Sequence, residues 1–120
     1  MRRSLLLALI VPLAVASPAM ANFTGPVSVG VASTAAGIET GRLGSYVTLE
    51  GHVVSRQRED YFVFRDASGE VRVEIGPEVW RGQTVGPQDT VRLVGEIDSG
   101  SGGRYLSVDL LEVLTQGPAD

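Results

Sequence analysis

Apolar and polar residues alternate with a period of two through most of the chain after Tyr46. Val47, Leu49, Gly51 and Val53 fall on one side, and Thr48, Glu50, His52 and Val54 on the other, the pattern of a strand with one buried face. Ser55 to Asp60 is polar and predicts a loop. Tyr61 to Asp66 predicts a second strand, with Phe62 and Phe64 inside and Tyr61, Val63 and Arg65 outside. In Asp66-Ala67-Ser68-Gly69, aspartate can bond back to the main chain and glycine can take positive φ, so a tight turn follows. Val71-Arg72-Val73-Glu74-Ile75 then pairs back as a hairpin. Gly76-Pro77 ends the sheet, and Pro77 to Trp80 suits a short helix with proline at its start and Trp80 as the plug of one barrel end. Val91, Leu93, Gly95 and Ile97 alternate with Arg92, Val94 and Glu96 as a fourth strand. After the Ser99 to Gly103 loop a fifth places Leu106, Val108 and Leu110 inside and Asp109 outside.

The residues before Tyr46 read differently. Arg2 and Arg3 precede an apolar run from Leu5 to Ala16, and Ala19-Met20-Ala21 supplies a small-x-small cleavage pattern. This predicts a secretory signal over residues 1–21, cut after Ala21, and hence a periplasmic protein. A permanent membrane span needs about 20 apolar residues, and Pro12 interrupts this shorter run, so no stable membrane insertion is expected after cleavage. Residues 22–33 are rich in Gly, Pro, Ser and Thr and predict an extended arm. Thr34 to Leu43 carries Ala35, Ala36, Ile38 and Leu43 behind a Ser33 or Thr34 cap, enough for about two helical turns weakened by Gly37 and Gly41.

The predicted order is helix, three strands, short helix, two strands. That is an all-β domain over residues 34–120: a five-stranded OB-type Greek-key barrel with a short N-terminal helix and a short helix between strands three and four. A small β-sandwich is the alternative that periodicity leaves open. Gly51 and Gly95 on inward positions favour the barrel, because a missing side chain permits sharp coiling.

Removing the leader takes Arg2 and Arg3 away and leaves eight arginines against fourteen acids, a formal charge of −6. That charge repels phosphate backbones and counts against a nucleic-acid partner. The chain has no cysteine, which rules out disulfides and thiol catalysis.

Taken together, several segments resemble the bacterial OB-fold (BOF) family of small periplasmic proteins. They are Phe23-x-Gly25-Pro26, Val47-x-Leu49-x-Gly51, Phe62-Val63-Phe64-x-Asp66-Ala67-Ser68-Gly69 and Val71-x-Val73-Glu74-Ile75, followed by Trp80-x-Gly82-x-x-Val85-x-Pro87-x-Asp89-x-Val91 and Gly95-Glu96-Ile97-Asp98. Phe62 stands where the family usually has tyrosine, Gly76 where it has aspartate, and Ser99 where a lysine often follows Asp98. The resemblance implies a non-enzymatic periplasmic OB domain, associated with envelope stress tolerance, that binds a small ligand.

The residues themselves offer no catalytic set. His52 is the sole histidine, with no nucleophile at a useful spacing. Calcium would need several oxygen ligands at short regular spacing, and zinc more than one histidine or cysteine, so neither a metal nor a cofactor is expected beyond weak cation attraction to the acidic surface. The candidate binding surface is the outer face of strands two and three, which OB folds generally use. It is predicted to show His52, Tyr61, Val63, Arg65, Arg72 and Glu74, with Arg56 and Arg58 on one rim and Arg104 on the other. Tyr61 is the one aromatic expected to point outward there, too few for stacking successive bases; the competing reading is a face that neutralises itself by cross-strand pairing. The expected ligand is a small charged or glycan-like envelope molecule such as a cell-wall fragment, bound by a monomer. The alternative is a protein-interaction module that modulates an envelope enzyme or sensor.

Overall fold

The structure, a computed structural model, describes residues 31–118; the predicted signal peptide and all but the last residues of the arm lie outside them. Strands β2 (Tyr46–Arg58), β3 (Tyr61–Asp66), β4 (Gly69–Glu74), β5 (Thr90–Gly100) and β6 (Gly103–Thr115) form the barrel, and β1 (Val31–Ala32) lies outside it. Neighbours run β1-β2-β3-β4-β6-β5, and β5 pairs back onto β2 to close the ring. The β4–β6 contact is parallel, through Val73↔Leu106 and Glu74↔Ser107, while the hairpins and the β2–β5 closure are antiparallel. This is the Greek-key barrel that the alternation predicts. At the end of the predicted arm, Val31 and Ala32 pair in parallel with Val47 and Thr48.

Phe64, Leu49, Val73, Ile75, Val91, Leu93, Ile97 and Leu106 fill the interior, each at most 2% exposed. Gly51 and Gly95 are buried as expected. A Cβ at Gly51 would run into the Arg65 carbonyl and the Phe64 ring, and one at Gly95 into the Ser107 carbonyl. Both are backbone approaches that only glycine allows.

Helix α1 (Ala35–Ile38) is one turn, shorter than the predicted Thr34 to Leu43. Its first-turn N–H groups are capped from outside the helix: Ala35 donates to Asp66 Oδ2 (2.8 Å), Ala36 to Ser68 Oγ (2.9 Å) and Gly37 to Thr34 Oγ1 (3.2 Å). After Ile38 the chain leaves the helix; at Gly41 a side chain would run into Ile97, and Gly44 then takes φ +85°. Ala35 and Ile38 are fully buried, so α1 plugs the barrel beside the β3–β4 turn. Helix α2 (Pro77–Trp80) follows β4 at the other end of that strand. Its buried residue is Val79; Trp80, expected as the plug, is half-buried and packs edge-on against Phe62 at 5.2 Å.

Two further expectations are corrected by bulges. Ser55 to Arg58 is strand rather than loop, because extra residues at Val54 and Gln57 let β2 bend and keep pairing with Val63, Phe62 and Tyr61. In β6 the register passes from Val94↔Leu110 to Gly95↔Val108, leaving Asp109 as the unpaired residue. One inserted residue inverts a period of two, so Leu110 is 40% exposed and Leu111, at 3%, takes its place inside.

Candidate ligand-binding face

Alternation along β3 sends Phe62 and Phe64 toward the core and leaves Tyr61 and Val63 on the outer surface. The register Tyr61↔Glu74 and Val63↔Arg72 brings the outward side chains of β4 beside them. On β6, Leu106 is buried, so its neighbour Tyr105 turns outward and meets Tyr61 edge-on, with ring centroids 5.7 Å apart and planes at 76°. Tyr105 is the residue that the sequence reading missed. It follows a glycine-rich loop with little pattern of its own, and only the parallel β4–β6 pairing sets it against Tyr61.

The Arg72 guanidinium lies against both rings, 5.4 Å from the Tyr61 centroid and 4.8 Å from that of Tyr105. Its Nη1 donates to the Ser101 carbonyl (2.6 Å) and its Nη2 to that of Gly103 (3.3 Å), tying the β5–β6 loop to the face. The buried Nε has no hydrogen-bond partner among the described residues. A polar atom left unpaired in this way is costly, and the favourable stacking of a cation on two aromatic faces offsets it. Arg58 also lies against Tyr61, 5.5 Å from its centroid. The result is a cluster of two touching rings and two cations, Tyr61 and Tyr105 with Arg72 against both and Arg58 against Tyr61.

Burial and the nearby Asp98 carboxylate push the Tyr105 hydroxyl up to about 12, with Tyr61 and Glu74 adding to the effect. Tyr105 is therefore a neutral hydrogen-bonding group at any physiological pH, and its Oη lies 3.4 Å from Asp98 Oδ2.

The other predicted site residues are distributed differently. Arg65 remains on the outer surface but is held by Glu70, through Nε (2.9 Å) and Nη2 (2.6 Å), which is the cross-strand pairing expected of such a face. His52 sits beside Arg65 in the register, at the end of β3 away from Tyr61. Its Nδ1 is 2.9 Å from the Asp89 carbonyl oxygen; a carbonyl only accepts, so Nδ1 carries the proton. Arg104 turns to the other side of β6 from Tyr105 and donates Nε to the Gly41 carbonyl (2.9 Å). The structure thus gathers Tyr61, Arg72 and Glu74 with Tyr105 and Arg58, and sets His52, Arg65 and Arg104 at its margins.

A groove of about 690 Å³ lies elsewhere, between β1, α1 and the β3–β4 turn, with Thr34, Glu50, Asp66 and Ser68 among its lining residues. Those polar groups are already engaged: Asp66 and Ser68 cap α1, and Glu50 pairs with Arg92 at 3.0 Å. Among the described residues no group of three or more His, Cys, Asp or Glu is placed to hold a metal ion.

Comparison with known proteins fits this architecture. Residues 17–113 match the model of the bacterial OB fold (BOF) protein family. The chain belongs to the BOF family. Within that family it is similar to Protein YgiW of Escherichia coli K12, 42% identical over 69 residues, which is 58% of this chain and 53% of YgiW, so that match spans about half of the relative's length. It is also similar to the calcium-regulated OB-fold protein CarO of Pseudomonas aeruginosa, 32% identical over 94 residues and covering 78% of this chain and 81% of CarO. The solved structure of YgiW from E. coli superposes with a TM-score of 0.67 at 34% identity, covering 76% of this BOF chain and 100% of that one. The telomere capping protein Ten1 from Saccharomyces pombe matches at TM-score 0.54 and 18% identity over 72% of this chain and 81% of its own, a likeness of fold alone.

Proposed function

We propose that this BOF protein is a non-enzymatic binding domain of the periplasm, exported through residues 1–21, which captures a small charged or glycan-like envelope molecule on the outer face of β3, β4 and β6. The observation that carries the reading is the cluster of Arg58, Tyr61, Arg72 and Tyr105, two half-buried rings flanked by cations on the surface that OB barrels generally use. Such a cluster provides aromatic surface for a ring to pack on and cationic donors for its acidic substituents. The name of CarO, calcium-regulated, and the family's expected link to envelope stress tolerance suggest that the protein serves under stress conditions rather than in constant metabolism.

Calorimetric titration with soluble cell-wall fragments tests the reading. Wild-type protein binds, and Tyr61→Ala and Tyr105→Ala each weaken binding about tenfold, the loss of one ring contact. Equal affinity in all three proteins contradicts it. Recovery of an envelope protein by the wild type, combined with no fragment binding, supports the protein-interaction alternative instead. Cell fractionation and N-terminal sequencing check the export step, with Asn22 the expected first residue.

A further inference from the structure

We propose that Arg58 is the residue with which this face holds an oxyanion, a carboxylate or phosphate borne on a ring-shaped ligand; this rests on the binding face described above. The bulge at Gln57 is what puts it there. Arg56 and Arg58 are two apart and in a regular strand would share one side. The inserted residue instead pairs Arg56 with Phe62 and Arg58 with Tyr61, so Arg56 packs toward the Phe62 ring (5.9 Å) and Arg58 toward the outer tyrosine (5.5 Å). Bulges of this kind re-aim side chains next to functional sites.

Each neighbouring arginine has at least one guanidinium donor hydrogen-bonded within the protein. Arg65 is held by Glu70, Arg72 by the Ser101 and Gly103 carbonyls, Arg104 by the Gly41 carbonyl, and the Arg56 Nε by the Glu59 carbonyl at 2.7 Å. Arg58 has one ionic contact among the described residues, Glu59 at 3.8 Å, beyond hydrogen-bonding distance, with the two side chains 68% and 76% exposed. An exposed pair at that separation contributes little and is readily exchanged. The guanidinium fork is therefore open to bidentate bonding with a planar oxyanion, next to the Tyr61 and Tyr105 rings that would pack against the body of the ligand.

The test is an amide NMR titration of the protein with tetragalacturonate, with its neutral methyl ester, and with inorganic phosphate. These separate ring with charge, ring alone and charge alone. The expected result is binding of tetragalacturonate with shifts at Arg58, Tyr61 and Tyr105, and at least about tenfold weaker binding of the ester. Arg58→Gln should lose that preference, Arg58→Lys should restore part of it, and Arg65→Gln, on the same face but paired, should keep it. Phosphate shifts confined to Arg58 would identify the anion contact without the ring. Binding at the tyrosines that Arg58→Gln leaves unchanged overturns the role of Arg58 and preserves the face. No shift at the tyrosine face with any probe overturns both. Because Arg58 is largely exposed, its substitution leaves folding intact, and the unshifted spectra of the variants verify this.

Discussion

Replacing Asp66 by alanine removes a carboxylate that holds two elements together. Oδ2 accepts from the Ala35 N–H at 2.8 Å, and Oδ1 accepts from Ser68 N at 2.8 Å and Ser68 Oγ at 2.6 Å. Asp66 therefore caps α1 directly, and it also orients the Ser68 hydroxyl that caps the next N–H. Hydrogen bonds to a charged group contribute about 1.5–3 kcal/mol each and an N-cap about 1 kcal/mol. Water can replace part of this at a half-buried site, so a total loss of about 2–3 kcal/mol is expected. For a domain of this size that lowers Tm by about 10–20 °C. Burial pushes the Asp66 carboxyl up, but the bonds from Ser68, Ala35 and Gly69 outweigh it and hold the group below its usual range. A depressed carboxylate stabilises fully above the unfolded pKa, about 3.9, and less as pH falls through the lower folded value. Urea melts followed by Trp80 fluorescence at a series of pH values should show the full gap between wild type and Asp66→Ala at pH 7, closing below about pH 4. Asp66→Asn, which keeps an acceptor without the charge, should fall between them. A variant within about 0.5 kcal/mol of wild type at pH 7, or a gap that ignores pH, refutes the reasoning.

The Asp109 bulge predicts unequal neighbours in denaturant melts: Leu111→Ala should cost about 2–5 kcal/mol and Leu110→Ala less than about 1 kcal/mol, and the reverse order would restore the uninterrupted alternation. Ultraviolet titration of wild type against Tyr105→Phe should place the Tyr105 hydroxyl at about 12, with Asp98→Asn bringing it down; since the folded value is raised, the neutral hydroxyl stabilises the fold fully below about pH 10 and progressively less as pH climbs toward 12.

The barrel was legible because its strands keep strict alternation and because two glycines stand where the backbone must pass close to its neighbour, at Gly51 and Gly95. Where a bulge breaks the period, the reading broke with it. Leu110 and Leu111 exchange sides at Asp109, and Ser55 to Arg58 reads as loop although two bulges carry the strand through it. The candidate site was half legible. Tyr61, Arg72 and Glu74 follow from the β3–β4 hairpin, whose register is local. Arg58 was expected on the rim beside Arg56, but its separation from Arg56 depends on the inserted Gln57, and Tyr105 depends on β6 lying parallel to β4; neither has a periodic signature. Arg65 is taken by its hairpin neighbour Glu70, the local pairing expected of such a face, whereas His52 and Arg104 reach Asp89 and Gly41, partners that only the closed barrel brings near.

On the proposed function, this BOF protein meets its ligand at the Arg58, Tyr61, Arg72 and Tyr105 cluster. The most direct measurement is the set of amide shifts across the whole protein on addition of a soluble cell-wall fragment. Saturable shifts clustered at Arg58, Tyr61, Arg72, Tyr105 and the Ser101–Gly103 loop that Arg72 holds are the predicted result. Shifts that cluster instead around the groove of Thr34, Asp66 and Ser68, leaving the tyrosines and arginines unmoved, would place the ligand elsewhere.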